Sequence, residues 1–137
     1  MIKSAKIYVA GHRGLVGSAI CKKLTEQGYT NLVTKTHAEL DLLNQQQVNS
    51  FFDKEKPDYV FIAGDLTLFA SKPSKAELKN YLLPLKNLKA QTYVILGNHD
   101  LQVPGPDLAD DLVHVLSELG MQVLNNDRVE LDGFTLV

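Results

Sequence analysis

The sequence predicts an α/β fold in which helices cover both faces of a mostly parallel, doubly wound sheet, three layers in all, with a C-terminal β-hairpin. Three observations predict it. Short apolar runs alternate with helix-periodic stretches along all 137 residues, which places parallel strands between helices. Right-handed crossovers then restrict the winding. Finally, Asp132-Gly133 stands between two short strand-like runs, and that dipeptide suits a two-residue hairpin turn.

The elements follow in order. Residues 6–10 form a short apolar run ending at glycine, hence a buried strand. Residues 15–27 place Val16, Ala19, Ile20 and Leu24 on one helical face, and Gly28 ends the helix. A second strand covers 31–34, and Leu40-Asp41-Leu42 suggests a short edge strand. Asn44 caps a helix over 45–54 with Val48, Phe51 and Phe52 inward. Pro57 precedes a buried strand at 58–63. Ser74 caps a helix over 75–88, which Pro84 ends or kinks because proline lacks the N–H for the helical ladder. A strand at 92–96, a helix at 107–119 ended by Gly120, and a strand at 121–124 complete the alternation. The hairpin pairs 129–131 with 134–137, and its edge could join two copies of the chain. The breaks at 69–74 and 102–106 are too short for domain linkers, so residues 1–137 read as one domain.

Composition excludes several classes. Hydrophobic residues at 45% and charged residues at 22% are ordinary for a globular core. A formal net charge of −2 gives no footprint for nucleic acid. No apolar run reaches the roughly 18 residues that span a bilayer. The N-terminus lacks a signal-peptide core. The single cysteine, Cys21, is expected as a packed thiol in a reducing, cytoplasmic-type setting.

The first chemical motif is Gly11-His12-Arg13-Gly14-Leu15-Val16-Gly17, between a strand and a helix. Gly11 permits a tight turn, Gly14 lets backbone approach a pyrophosphate, and Gly17 lets helix and strand pack closely. The N-terminal turn of the helix, at Leu15 and Val16, offers N–H groups and a positive dipole end to phosphate. An NAD site usually carries an acid at the end of the second strand. Here Val33-Thr34-Lys35-Thr36-His37 has none, and Lys35 and Arg13 could meet the 2′-phosphate of NADP instead.

On these residues, together with Ala38-Glu39-Leu40-Asp41-Leu42, roughly the first 63 residues resemble the extended short-chain dehydrogenase/reductases, the GDP-L-fucose synthases among them. The resemblance implies a Rossmann-like half that holds NADP(H), with Arg13 on the 2′-phosphate. The family often has a second arginine where this chain has His37, whose neutral ring would grip phosphate less. It also implies a Tyr-x-x-x-Lys pair, and no tyrosine here has a lysine four residues later.

A second motif lies downstream: Gly64-Asp65 and Gly97-Asn98-His99-Asp100, each after a buried strand. Residues from about 58 to 137 resemble the calcineurin-like metallophosphoesterases. That resemblance implies Asp65 and Asn98 as metal ligands and His99 as the proton donor to the leaving group, with Asp100 supporting it. The family's Asp-x-His and late histidines are absent, so these positions read as vestiges, and with His12 alone nearby a divalent metal is not expected to be held. The two resemblances meet at 58–65. The expectation is therefore an engineered chimera with no intact catalytic activity and no required cofactor. A residual NADP(H)- or nucleotide-binding module through Gly11–Gly17 and an impaired phosphoesterase are the alternatives.

Overall fold

The computed structural model describes residues 1–67, 69–101, 106–131 and 133–137. Five parallel strands make the main sheet in the order β2-β1-β3-β4-β5: β1 (Ile7–Ala10), β2 (Leu32–Lys35), β3 (Tyr59–Ala63), β4 (Gln91–Ile95) and β5 (Gln122–Leu124). Helices α1 (Leu15–Glu26), α2 (Gln45–Glu55), α3 (Lys75–Leu82) and α4 (Ala109–Glu118) connect them. A separate antiparallel pair, β6 (Val129–Glu130) and β7 (Thr135–Leu136), forms the hairpin. Its flanking residues Leu131 and Phe134 exchange both backbone hydrogen bonds. Asp132 of the expected turn, and most of the expected 102–106 break, lie outside the described residues.

Strand periodicity divides the core into two layers. Tyr8, Ala10, Val60, Ile62 and Val94 point to one face, where Val48, Phe52, Leu78, Leu82, Leu112, Val115 and Leu116 of α2, α3 and α4 cover them. Ile7, Val9, Phe61 and Tyr93 point to the other, which receives Ile20 and Leu24 of α1. One helix is too narrow for that face. The hairpin covers the rest, burying Leu131, Phe134 and Leu136 beside Tyr29 and Met1. The central strands β1 and β3 are buried on both sides, which explains their unbroken apolar runs.

Local chemistry sets the ends. Tyr29 donates its N–H to the Leu24 carbonyl across Gly28 (3.0 Å), and Met121 donates to the Leu116 carbonyl across Gly120 (3.0 Å). Both are left-handed helix stops that drop an apolar residue into the core. Asn44 accepts from the Gln47 N–H, and Ser74 and Glu77 form a reciprocal capping box. The expected helix over 75–88 divides: α3 stops at Leu82 and a 3-10 turn runs Leu83–Asn87, with Pro84 near its start. The expected strand at Leu40-Asp41-Leu42 is absent. Local acceptors claim its backbone: the Leu40 N–H donates to the Thr36 carbonyl, the Asp41 N–H to Gln47 Oε1 and the Leu43 N–H to Asp41 Oδ1. Among the described residues, no helix is long and apolar enough to cross a membrane.

Candidate functional site

All five strands of the main sheet run the same way, so the loops after β1, β2 and β3 emerge at one edge. They enclose a cleft of about 740 Å³, a volume suited to a small-molecule ligand. Gly11, His12, Arg13 and Gly14 come from the first loop, Lys35, Thr36, His37 and Leu40 to Leu43 from the second, and Gly64, Asp65 and Leu66 from the third. Tyr81 of α3 reaches it from the side. A second cavity of about 690 Å³ opens at the ends of β4 and β5 and is lined by none of these residues.

The first loop is a cradle of bare backbone. Gly11 sits at φ +76°, and a Cβ there would come within 2.8 Å of the Ala63 carbonyl oxygen. A Cβ on buried Gly17 would run into the Gly11 carbonyl and come within 3.0 Å of His12 Cα. Gly14 caps α1 with no side chain in the way, and its N–H donates to the Gly11 carbonyl (2.9 Å). The first-turn N–H groups of α1, at Leu15 and Val16, have no partner within the helix. Their side chains are exposed, Leu15 at 89%, and stay outside the cleft. What these two positions contribute is therefore backbone alone. The dipole end of α1 adds positive potential at the same place.

The second loop carries the charge. Arg13, Lys35 and His37 share the cleft rim. Glu39 stands among them, 3.8 Å from the Lys35 ammonium. Its carboxyl is held below the usual range by the Thr36 N–H and hydroxyl (both 2.8 Å), and by Lys35 and Arg13. The strand end itself lacks an acid, but the next turn brings one back beside both cations. The sequence masks this, because Glu39 is placed only by its hydrogen bonds to Thr36. His37 faces Asp41 at 3.9 Å and is otherwise open to solvent.

The third loop holds Asp65 in a left-handed conformation, φ +53°. Its carboxylate accepts the His99 N–H (3.1 Å), tying the loop after β3 to the loop after β4. His99 and the exposed Asn98 do not line the cleft. Among the described residues, no three His, Cys, Asp or Glu side chains gather as a metal-binding group. The Nδ1 atoms of His12 and His99 are buried, with no hydrogen-bond partner among the described residues. Sequence reading also missed Tyr81, whose hydroxyl pKa is raised by burial and then by Asp41 and Asp100. Its position depends on α3 folding back over the sheet, and no local pattern announces that. Cys21 packs at the edge of the α1 layer, and burial pushes its thiol up, consistent with a structural role.

Comparison with known proteins bears on this edge of the sheet. The model of the NAD dependent epimerase/dehydratase family matches residues 7–92. GDP-L-fucose synthase 1 of Arabidopsis thaliana is 74% identical over 61 residues, which is 44% of this chain and 19% of that protein. A GDP-D-glycero-L-gluco-heptose synthase from Campylobacter jejuni, solved in the presence of NADPH, superposes with a TM-score of 0.51 at 35% identity, covering 69% of this chain and 31% of that one. A GDP-mannoheptose C4 reductase from the same organism, with NADP bound, gives 0.50 at 33% identity over 70% of this chain and 33% of its own. The chain thus spans about a fifth of the length of the curated relatives it matches.

These findings correct the expectation of an inactive engineered chimera. One family model runs unbroken through 58–65 and on to β4. The relatives are GDP-L-fucose synthases and nucleotide-sugar enzymes solved with NADP(H). The metallophosphoesterase resemblance finds no support among them, and the expectation that no cofactor is required loses its ground. The physical source of the error is the strand-Gly-Asp and strand-Gly-Asn-His-Asp pattern, which describes how loops leave a parallel sheet as much as it describes a metal centre.

Proposed function

This chain belongs to the NAD dependent epimerase/dehydratase family, and we propose that it forms the NADP(H)-binding unit of an NADP-dependent reductase or epimerase acting on nucleotide-linked sugars. One observation carries the reading. Gly11 and Gly14, bare backbone at the start of the glycine turn, line the same cleft as Arg13 and Lys35, at the carboxyl ends of β1 and β2. The group fits this site. Gly11, Gly14 and Gly17 leave room for a pyrophosphate against backbone, and the first-turn amides at Leu15 and Val16 donate to it. Arg13 and Lys35 hold the 2′-phosphate, with His37 beside them. The cleft volume would accommodate the adenosine half, and Ala38, Leu40 and Leu42 line it.

Bound NADPH would supply hydride to a sugar carbonyl. Reduction also requires a proton donor at the oxygen, and no Tyr-x-x-x-Lys occurs in these residues. Binding is therefore the part of the function these residues carry, and titration calorimetry tests it. NADPH is expected to bind more tightly than NADH. Arg13→Ala is expected to weaken NADPH by about tenfold, the value of one partly solvated charge-assisted phosphate contact of ~1.4 kcal/mol, and to leave NADH unchanged. Equal affinity for the two nucleotides, or no heat at millimolar NADPH, would sink the proposal.

Glu39 gives a second expectation. Its charge competes with a 2′-phosphate for Lys35 and Arg13. Glu39→Gln keeps an acceptor for the Thr36 N–H and removes the charge. NADPH affinity should rise by roughly two- to fivefold at low salt and the gain should fade as salt screens it. A fall in affinity would show that Glu39 serves the ligand directly.

A further inference from the structure

Asp100 is a charged residue with no exposed surface, outside the cleft, and the proposed binding chemistry does not use it. Its carboxylate accepts three backbone N–H groups and one hydroxyl from two different loops. Oδ2 accepts the Gly97 N–H (3.0 Å) and the Leu66 N–H (3.3 Å). Oδ1 accepts the Thr67 N–H (3.0 Å) and the Thr67 hydroxyl (2.7 Å). Three of these four donors belong to residues 66 and 67, immediately after the cleft-lining Gly64 and Asp65.

The surrounding backbone is close enough to pass a displacement on. A Cβ on Gly97 would run into the Asp65 carboxylate and N–H, and one on Gly64 would meet Gly97 Cα at 3.0 Å. A Cβ on Gly11 would meet the Ala63 carbonyl. The phosphate turn, the loop after β3 and the loop after β4 are therefore in backbone contact, and Asp100 ties the last two together with four hydrogen-bond donors, beside the single Asp65–His99 hydrogen bond. Asp65 at φ +53° occupies a left-handed conformation that is unfavourable for a residue with a Cβ and that an untethered loop would leave readily.

The strand order gives the direction of the effect. Arg13, Lys35 and His37 sit toward β2, the pyrophosphate cradle over β1, and Gly64 to Leu66 over β3. A dinucleotide anchored at the β2 side would extend its other half toward the β3 loop. We propose that Asp100 is a positioning residue: by clamping residues 66 and 67 it sets the wall against which the nicotinamide half of NADP(H) lies, without touching the ligand. This rests on the cofactor reading above.

Two ligands separate positioning from a general role in stability. Adenosine 2′,5′-bisphosphate engages the β2 side and the cradle over β1 and stops short of the β3 loop, while NADPH reaches all three. Asp100→Asn replaces one acceptor oxygen by an NH₂ that faces N–H donors, so residues 66 and 67 must shift. Measured well below the melting temperature, NADPH should weaken by roughly tenfold and the bisphosphate by less than about twofold. Thr67→Val, which removes only the hydroxyl donor, should give the same selective loss at smaller amplitude and serves if Asp100→Asn does not fold. Equal losses for both ligands, or no loss for either, overturn the assignment. A wild-type chain that binds neither ligand overturns the cofactor reading itself, whereas one that binds both and shows no selectivity in the variants overturns only the role of Asp100.

Discussion

Gly17→Ala is expected to abolish measurable NADPH binding and to lower stability, whereas Gly14→Ala should leave stability almost unchanged. The contrast follows from the turn's own geometry. A methyl group at position 17 would overlap the Gly11 carbonyl and crowd His12 Cα. Either α1 moves off the strand end or the turn opens. Overpacking of this kind costs about 1–3 kcal/mol. It also misaligns the first-turn amides, and two charge-assisted hydrogen bonds at ~1.5–3 kcal/mol each correspond to at least about a hundredfold in affinity. At position 14 the φ is −76° and the added carbon meets only the Gly11 oxygen, at 3.3 Å. Calorimetry with NADPH and thermal unfolding, run on both variants, check the pair. Equal loss of stability in the two would mean that the close approach at Gly17 is not what shapes the cradle.

Phe61→Ala should be the most destabilising single change in the β3 strand, by about 3–5 kcal/mol. Phe61 is 1% exposed, with its ring stacked on Phe134 of the hairpin at 6.1 Å and tilted against Tyr93 of β4 at 5.8 Å. It joins the main sheet to the hairpin layer, so its loss should be felt beyond its own volume. A typical domain has only ~5–15 kcal/mol in total, so the variant would sit near the unfolding threshold. Urea unfolding measures the loss. Hydrogen exchange should show the amides of Val129 to Leu136 opening ahead of the main sheet. Uniform opening would mean that the hairpin and the sheet form one cooperative unit that Phe61 does not mediate.

Much of this fold was legible because its signals are local. The helix stops at Gly28 and Gly120 and the caps at Asn44 and Ser74 are where the chain chemistry puts them, and Pro84 ends α3 as a missing N–H requires. The strand expected at Leu40 to Leu42 failed for an equally local reason. Apolar alternation was present, but Thr36, Asp41 and Gln47 supplied turn acceptors that outcompete a sheet edge. In the site, the glycine spacing was legible and the counter-charge was not, since Glu39 reaches Lys35 only once the turn at 36–39 closes.

The sequence by itself determined the alternation of strand and helix, the glycine-rich turn and the cations beside it. All are set within a few residues by periodicity, by the absence of a Cβ and by side-chain charge. Only the tertiary structure decided which loops share a cleft, that the hairpin and not a second helix completes the α1 layer, and that Asp100 binds one loop to another. Those outcomes depend on strand order, and strand order is chosen by burial across the whole sheet, where residues such as Phe61 and Phe134, 73 positions apart in the 137-residue chain, first come into contact.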